Sequence, residues 1–241
     1  MQNRYTGDIG DFGKLGLLRF LQMSGLSVGV NWYLVPDENH NSDGRYIHYL
    51  KDDFYRCLDE PLWLELKRIV EEENRNVSAL ETDRVLKATF YDNLLDFSGK
   101  TKADRLITRN VWHEKAVKKL SQCDIVFVDP DNGILVPSAK DTTKENKFVK
   151  PEELIDYYSQ GLSVIYYQHK ARRPDAFYLN QHNQIMSMIN NSGAFGLGLK
   201  FVKTSQRYFF FILQSSHRCL IVDAIRKMIA SEWNNCFKVY T

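Results

Sequence analysis

The sequence predicts an α/β domain with a mostly parallel sheet flanked by helices and closed by a C-terminal antiparallel hairpin. Three observations carry that expectation. Short runs rich in Val, Ile, Tyr and Phe (LSVGVNWYLVP, DIVFVDP, LSVIYYQH) alternate with longer segments of helical periodicity, the pattern of strand, crossover and parallel strand. The helical segments carry the usual punctuation, with Asp59, Glu60 and Pro61 opening one, and Pro151 with Glu152 and Glu153 opening another that stops at Gly161. Near the C-terminal end, GLGLKFVKTSQRYFFFILQ divides into two strands around a polar turn at 204–206.

Taken in order, DFGKLGLLRFLQMSG reads as a helix, with Phe12, Leu15, Leu18 and Leu21 among its apolar positions, Asp11 as N-cap and Gly25 as stop. LSVGVNWYLVP is a buried strand closed by Pro36, and the polar loop DENHNSDGRY follows it. The helix opened at Asp59 carries Leu62, Leu66, Ile69 and Val70 and runs out into the solvated EEENRN. Residues 78–98 fit either a strand and turn or part of a helix. TRNVWHEKAVKKLSQ is a helix with Val111, Ala116, Val117 and Leu120 on one face and lysines at its C-terminal end, where the helix dipole favours cations. Further helices are expected over VKPEELIDYYSQG, over 180–192 and from about His217 to Trp233. The whole chain, 1–241, reads as one domain with a helical insertion near 52–120.

With 44% hydrophobic and 26% charged residues, 241 residues bury a substantial core without disulfides or metal. A net charge of +2 neither demands nor excludes a polyanionic partner. Cys57, Cys123, Cys219 and Cys236 lie far apart and form no Cys-x-x-Cys pair, which argues against a zinc knuckle or disulfide framework and for reduced thiols in a cytoplasmic protein. The opening residues lack the apolar core of a signal peptide, and no run approaches the ~20 apolar residues of a membrane span. No pattern fixes an oligomeric state.

In parallel sheets the ligand crevice lies outside the carboxyl ends of the strands. That rule places 36–46, 129–133 and 168–173 on one rim. The order of a helix before the first strand, VDPDNG after one strand, YQHK after the next and a closing hairpin is similar to Rossmann-like class I S-adenosylmethionine-dependent methyltransferases. More narrowly it resembles the large-subunit ribosomal RNA adenine-N6 methyltransferases. Against their Gly-Asn-x-Ala-Asp-x-x-Lys segment, GDIGDFGK matches at Gly7, Asp11 and Lys14. Against Asp-Thr-His-Ala-Gly-x-Gly-x-Tyr, ENHNSDGRY matches at His40, Gly44 and Tyr46, with Ser42 and Glu38 departing. Their Asp-Pro-Pro-Tyr corresponds to Asp129, Pro130, Asp131 and Asn132, so half of it survives.

The resemblance implies methyl transfer to a nucleic-acid base amine. Asp129 and the Pro130 carbonyl would accept the two amine hydrogens and aim the lone pair, a catalysis by positioning. Asn132 stands where an aromatic ring normally holds the extruded base, and Tyr166, Tyr167 and His169 are candidates for that task. Lys14, His40 and Gly44, with Asp129, would surround the S-adenosylmethionine; the ribose-binding acid is not identifiable, although Asp83 and Asp92 flank its place. Read without the resemblance, Asp129 caps a turn, Lys14 is a solvated helix lysine or the partner of Asp8 or Asp11, and His40 is an exposed loop residue. Lys140, Lys144, Lys147 and Lys150, with Lys170, Arg172 and Arg173, would form a basic rim suited to phosphates, or simply solvated loops, since Asp141 and Glu145 interrupt them.

Two other classes fit some of the same residues. A metal-dependent nuclease would use Asp129 and Asp131, with Glu152 or Glu153 and His169 or Lys170, around Mg²⁺. Its weakness is spacing, because the Glu-x-Lys triplets at Glu65 and Glu145 sit on no convincing strand. A methyltransferase-like binding protein without catalysis is consistent with Ser42, Asp131 and Asn132.

Overall fold

The computed structural model describes residues 1–38, 44–189, 193–204 and 206–240. Capping residues and apolar stripes start the helices, and β-branched and aromatic runs form the strands. The elements are α1 (Ile9–Met23), β1 (Val28–Asn31), α2 (Asp53–Leu58), α3 (Glu60–Glu71), β2 (Thr89–Tyr91), α4 (Lys102–Leu120), β3 (Ile125–Val128), β4 (Gly133–Ile134), β5 (Phe148–Val149), α5 (Pro151–Ser159), β6 (Ser163–His169), α6 (Asp175–Met188), β7 (Phe195–Phe201), β8 (Arg207–Leu213), α7 (Ser215–Ala230) and β9 (Phe237–Tyr240).

Among the described residues seven strands form one sheet in the order β2-β1-β3-β6-β8-β7-β9. The first four are parallel, with Val28 opposite Ile125 and Val126 opposite Val164. β8 runs antiparallel to both β6 and β7, so the hairpin folds back to insert its second strand beside β6. The α/β class and the closing hairpin are therefore as the sequence predicts. The edge strand β9 is an addition, four residues long and too short to announce itself by alternation.

Strand alternation divides the core in two. Ile125, Phe127, Ile165, Tyr167 and Phe209 face α1, α3 and α7. Val126, Val128, Val164, Tyr166 and Phe210 face α4, α5 and α6. Residues 52–120 supply α2 and α3, the edge strand β2 and the crossover α4, and so contribute to the sheet itself. No described helix is long and apolar enough to cross a membrane.

Several boundaries differ from the sequence reading for local reasons. Asp8, not Asp11, caps α1, accepting from the Asp11 backbone N–H. Thr101 caps α4, which starts at Lys102, before the predicted segment. On α4 Val111 faces solvent, while Arg109, Trp112 and His113 are buried. A polar residue with buried partners had disguised the inward face: Arg109 binds the Glu153 carboxylate at 2.6 and 2.7 Å.

Candidate functional site

Past the carboxyl ends of β1, β3 and β6 the chain encloses a crevice of about 360 Å³. Asp129 to Asn132 follow β3 along one wall, and Tyr167 and His169 from β6 form another. Gly44 and Tyr46, after β1, close a third side. The convergence predicted for the three loops is thus present. The start of α1 joins them with Asp8, Asp11 and Lys14, and Arg207 enters from the beginning of β8.

A buried charge cluster forms the floor. The Lys14 ammonium lies 2.5 Å from Asp129 Oδ2 and 2.9 Å from Asp11 Oδ1, with all three side chains at most 5% exposed. Lys14 is therefore not a solvated helix lysine. Burial raises the pKa of Asp129 and of Asp11, and the Lys14 ammonium opposes it in both. Burial alone would lower the Lys14 pKa, but its two carboxylates hold it above the usual lysine range. Asp11 is itself fixed by the Gly7 N–H, 2.8 Å from Oδ2. The Met1 amino group donates to the Asp129 carbonyl at 2.9 Å and to that of Tyr33 at 3.1 Å.

The two residues that break the Asp-Pro-Pro-Tyr pattern have defined partners. Asp131 accepts from Gln2 Nε2 at 2.5 Å and lies 3.5 Å from the Met1 amino group and 3.8 Å from Lys147. The Asn132 N–H donates to the Lys147 carbonyl at 3.0 Å, and its own carbonyl accepts from Gln168 Nε2 at 3.2 Å. Gln168 Oε1 also accepts from the Ile134 N–H at 2.9 Å, so one amide side chain on β6 pins the turn that carries the site.

Tyr167 and His169 line the crevice, joined by a hydrogen bond of 3.3 Å from hydroxyl to Nδ1. Burial pushes the Tyr167 phenol up to about 12, so it acts as a neutral hydrogen-bonding group. Tyr166 does not belong with them. Successive strand residues point to opposite faces, and Tyr166 bonds His182 Nδ1 at 3.0 Å under α6. Gly44 has φ 84°, and an added Cβ would lie 2.5 Å from the Arg4 carbonyl, so its glycine is demanded by the backbone as well as by the crevice. His40 and Ser42 lie outside the described residues.

No family model matches the sequence, and no curated protein matches it. Among solved structures the chain is similar to protein LPL1258 from Legionella pneumophila str. Philadelphia 1, described with the family model DUF519. The identity is 12% and the TM-score 0.47, over 97% of this chain and 96% of that one.

Several residues of the expected basic rim are paired with acids. Lys170 pairs with Asp175 at 3.2 Å, Lys150 with Glu145 at 2.8 Å and Lys147 with Glu38 at 2.5 Å. Arg173 packs over the Phe177 ring and Arg172 is exposed; neither they nor Lys170 line the crevice. Among the described residues no group of three or more His, Cys, Asp or Glu side chains is placed to hold a metal ion. Glu153 is held by Arg109 and by the Tyr33 hydroxyl, and Asp129 and Asp131 each already face a cation. Sequence reasoning missed Arg207 as a site residue. The clue was a cation opening the otherwise apolar RYFFFIL, and Gly10 makes room for it, since a Cβ there would fall 1.5 Å from the Arg207 guanidinium.

Proposed function

We propose that this chain binds S-adenosylmethionine in the crevice and transfers its methyl group to an exocyclic amine of a nucleic-acid base. The observation that carries the reading is the meeting of Asp129-Pro130, at the end of β3, with Lys14, Gly44, Tyr167 and His169 around one cavity. These come from four stretches far apart in sequence, and their order is that of the family the motifs resemble. The cavity falls within the ~300–1,000 Å³ usual for small-molecule sites.

The polar lining suits a zwitterionic, cationic ligand. Asp8 and Asp11 would accept from its ammonium, and Arg207 would face its carboxylate. When bound, S-adenosylmethionine supplies an electrophilic methyl group. The chain's own part is orientation. Lys14 grips Asp129 through Oδ2, which leaves Oδ1 to accept one amine hydrogen while the Pro130 carbonyl accepts the other. The hydrogen-bonded Tyr167 and His169 would wall the base in place of the absent aromatic at Asn132. The nuclease alternative is less well supported, because Glu153 is committed to Arg109.

Thermal denaturation with increasing S-adenosylmethionine tests the reading. A ligand present at 100 times its Kd stabilises the native state by about 2.7 kcal/mol, and in a chain of this size that moves Tm upward by roughly 5–10 °C. No shift at millimolar concentration would sink it.

A further inference from the structure

Beside the crevice, and sharing Asn132 with it, lies a second groove of about 370 Å³. Val136 and Phe148, both only partly buried, line its apolar side, and Glu38, Ser138 and two lysines line its polar side. The Phe148 backbone is held on two sides, being paired with Gly133 in the short β4–β5 sheet, while its carbonyl accepts from Arg109 at 2.7 Å. Two lysines stand on the groove. Lys147 is committed to Glu38, but Lys144 is exposed and forms no ion pair with any described residue. An uncommitted cation beside a fixed aromatic surface matches a nucleotide, with the base against Phe148 and the phosphate at Lys144.

We propose that this groove holds the nucleotide next to the modified base in a single-stranded nucleic-acid substrate, an inference that rests on the methyltransferase reading. Asn132 is then the boundary between the two subsites.

The test is fluorescence anisotropy of the full chain with a labelled single-stranded RNA of about 12 nucleotides, titrated at several salt concentrations. Lys144→Gln should weaken binding about fivefold at ~50 mM salt and make the salt slope shallower by about 0.7. Phe148→Leu should weaken it roughly fivefold with the slope unchanged. Lys118→Gln, in the last turn of α4 at the opposite end of the sheet, is the charge-matched control and should leave binding as it is. If Lys144→Gln behaves like that control while the unmodified chain binds RNA and S-adenosylmethionine still stabilises it, the groove is not a nucleotide subsite and only this inference falls; if the unmodified chain does not bind RNA, this inference falls together with an RNA base as the methyl acceptor. Loss of the cofactor shift instead removes the methyltransferase reading itself.

Discussion

Lys14 neutralises two carboxylates that are almost wholly buried at the base of the crevice, which makes it the residue whose loss should be felt most. Lys14→Met strands Asp11 and Asp129 in a buried site and should cost about 3–5 kcal/mol, whereas Asp129→Asn leaves Lys14 paired with Asp11 and should cost less than half as much. Urea titrations of the two variants measure the difference, and equal losses would mean that Asp129 and Lys14 are not the coupled unit drawn here. His182 offers a second test. It is 2% exposed, stacks on Phe210, and burial lowers its pKa from 6.5 to about 4. A histidine depressed in the folded state is neutral there while the unfolded chain takes up a proton, so stability is intact above pH 6.5 and falls as pH drops towards 4. The gap of about 2.5 units corresponds to roughly 3 kcal/mol. His182→Phe orphans the Tyr166 hydroxyl at every pH, but its stability relative to the parent should improve by that amount between pH 6.5 and 4. A constant offset across the window would show that His182 does not titrate as described.

At the scale of elements, α1 joins fold to site. Its N-cap and first two turns supply Asp8, Asp11 and Lys14 to the crevice, while the helix packs on α7 and, through Phe12 and Phe20, on Trp233. The close approach depends on Gly16, where a Cβ would sit 2.2 Å from the Trp233 ring. Gly16→Ala gains helix propensity of about 1 kcal/mol but overpacks a buried indole at a cost of about 1–3 kcal/mol, so the net change should be a loss of up to about 2 kcal/mol in chemical denaturation. A more stable variant would mean that Trp233 moves aside freely. Helices with Pro or Asp at their starts were legible in the sequence, because the capping chemistry is local. The inward face of α4 was not, since Arg109 is buried through partners far along the chain, Glu153 forty-four positions away and the carbonyls of Glu145 and Phe148. The same distinction governs the site. Asp129, Pro130 and the two loops could be placed by the strand-end rule, but the Lys14–Asp129 contact spans 115 residues, and Gln168 and Arg207 take their places from neighbours far along the chain, Ile134 and Gly10.

For the molecule as a whole, the sheet order places the crevice on the most deeply buried strands. β3 and β6 are flanked by strands on both sides, covered by helices on both faces and almost wholly inaccessible, whereas β9 is a sheet edge with Lys238 and Val239 exposed. The site residues after β3 and on β6 are therefore anchored in the part of the fold expected to open last, whereas the edge strand β9 is paired on one side only. Native-state hydrogen exchange should find the amides of Val126, Phe127, Ile165 and Tyr166 exchanging only through global unfolding, with a full dependence on denaturant. Those of Lys238 and Val239 should exchange through local fraying, nearly independent of denaturant. Truncation before Phe237 should then cost little beyond the burial of Phe237 itself, because Leu199 and Phe201 on β7 remain packed against α1 and α7. If β9 instead exchanges with the same free energy as β6, the edge belongs to the cooperative core, and its removal would loosen the floor of the crevice as well.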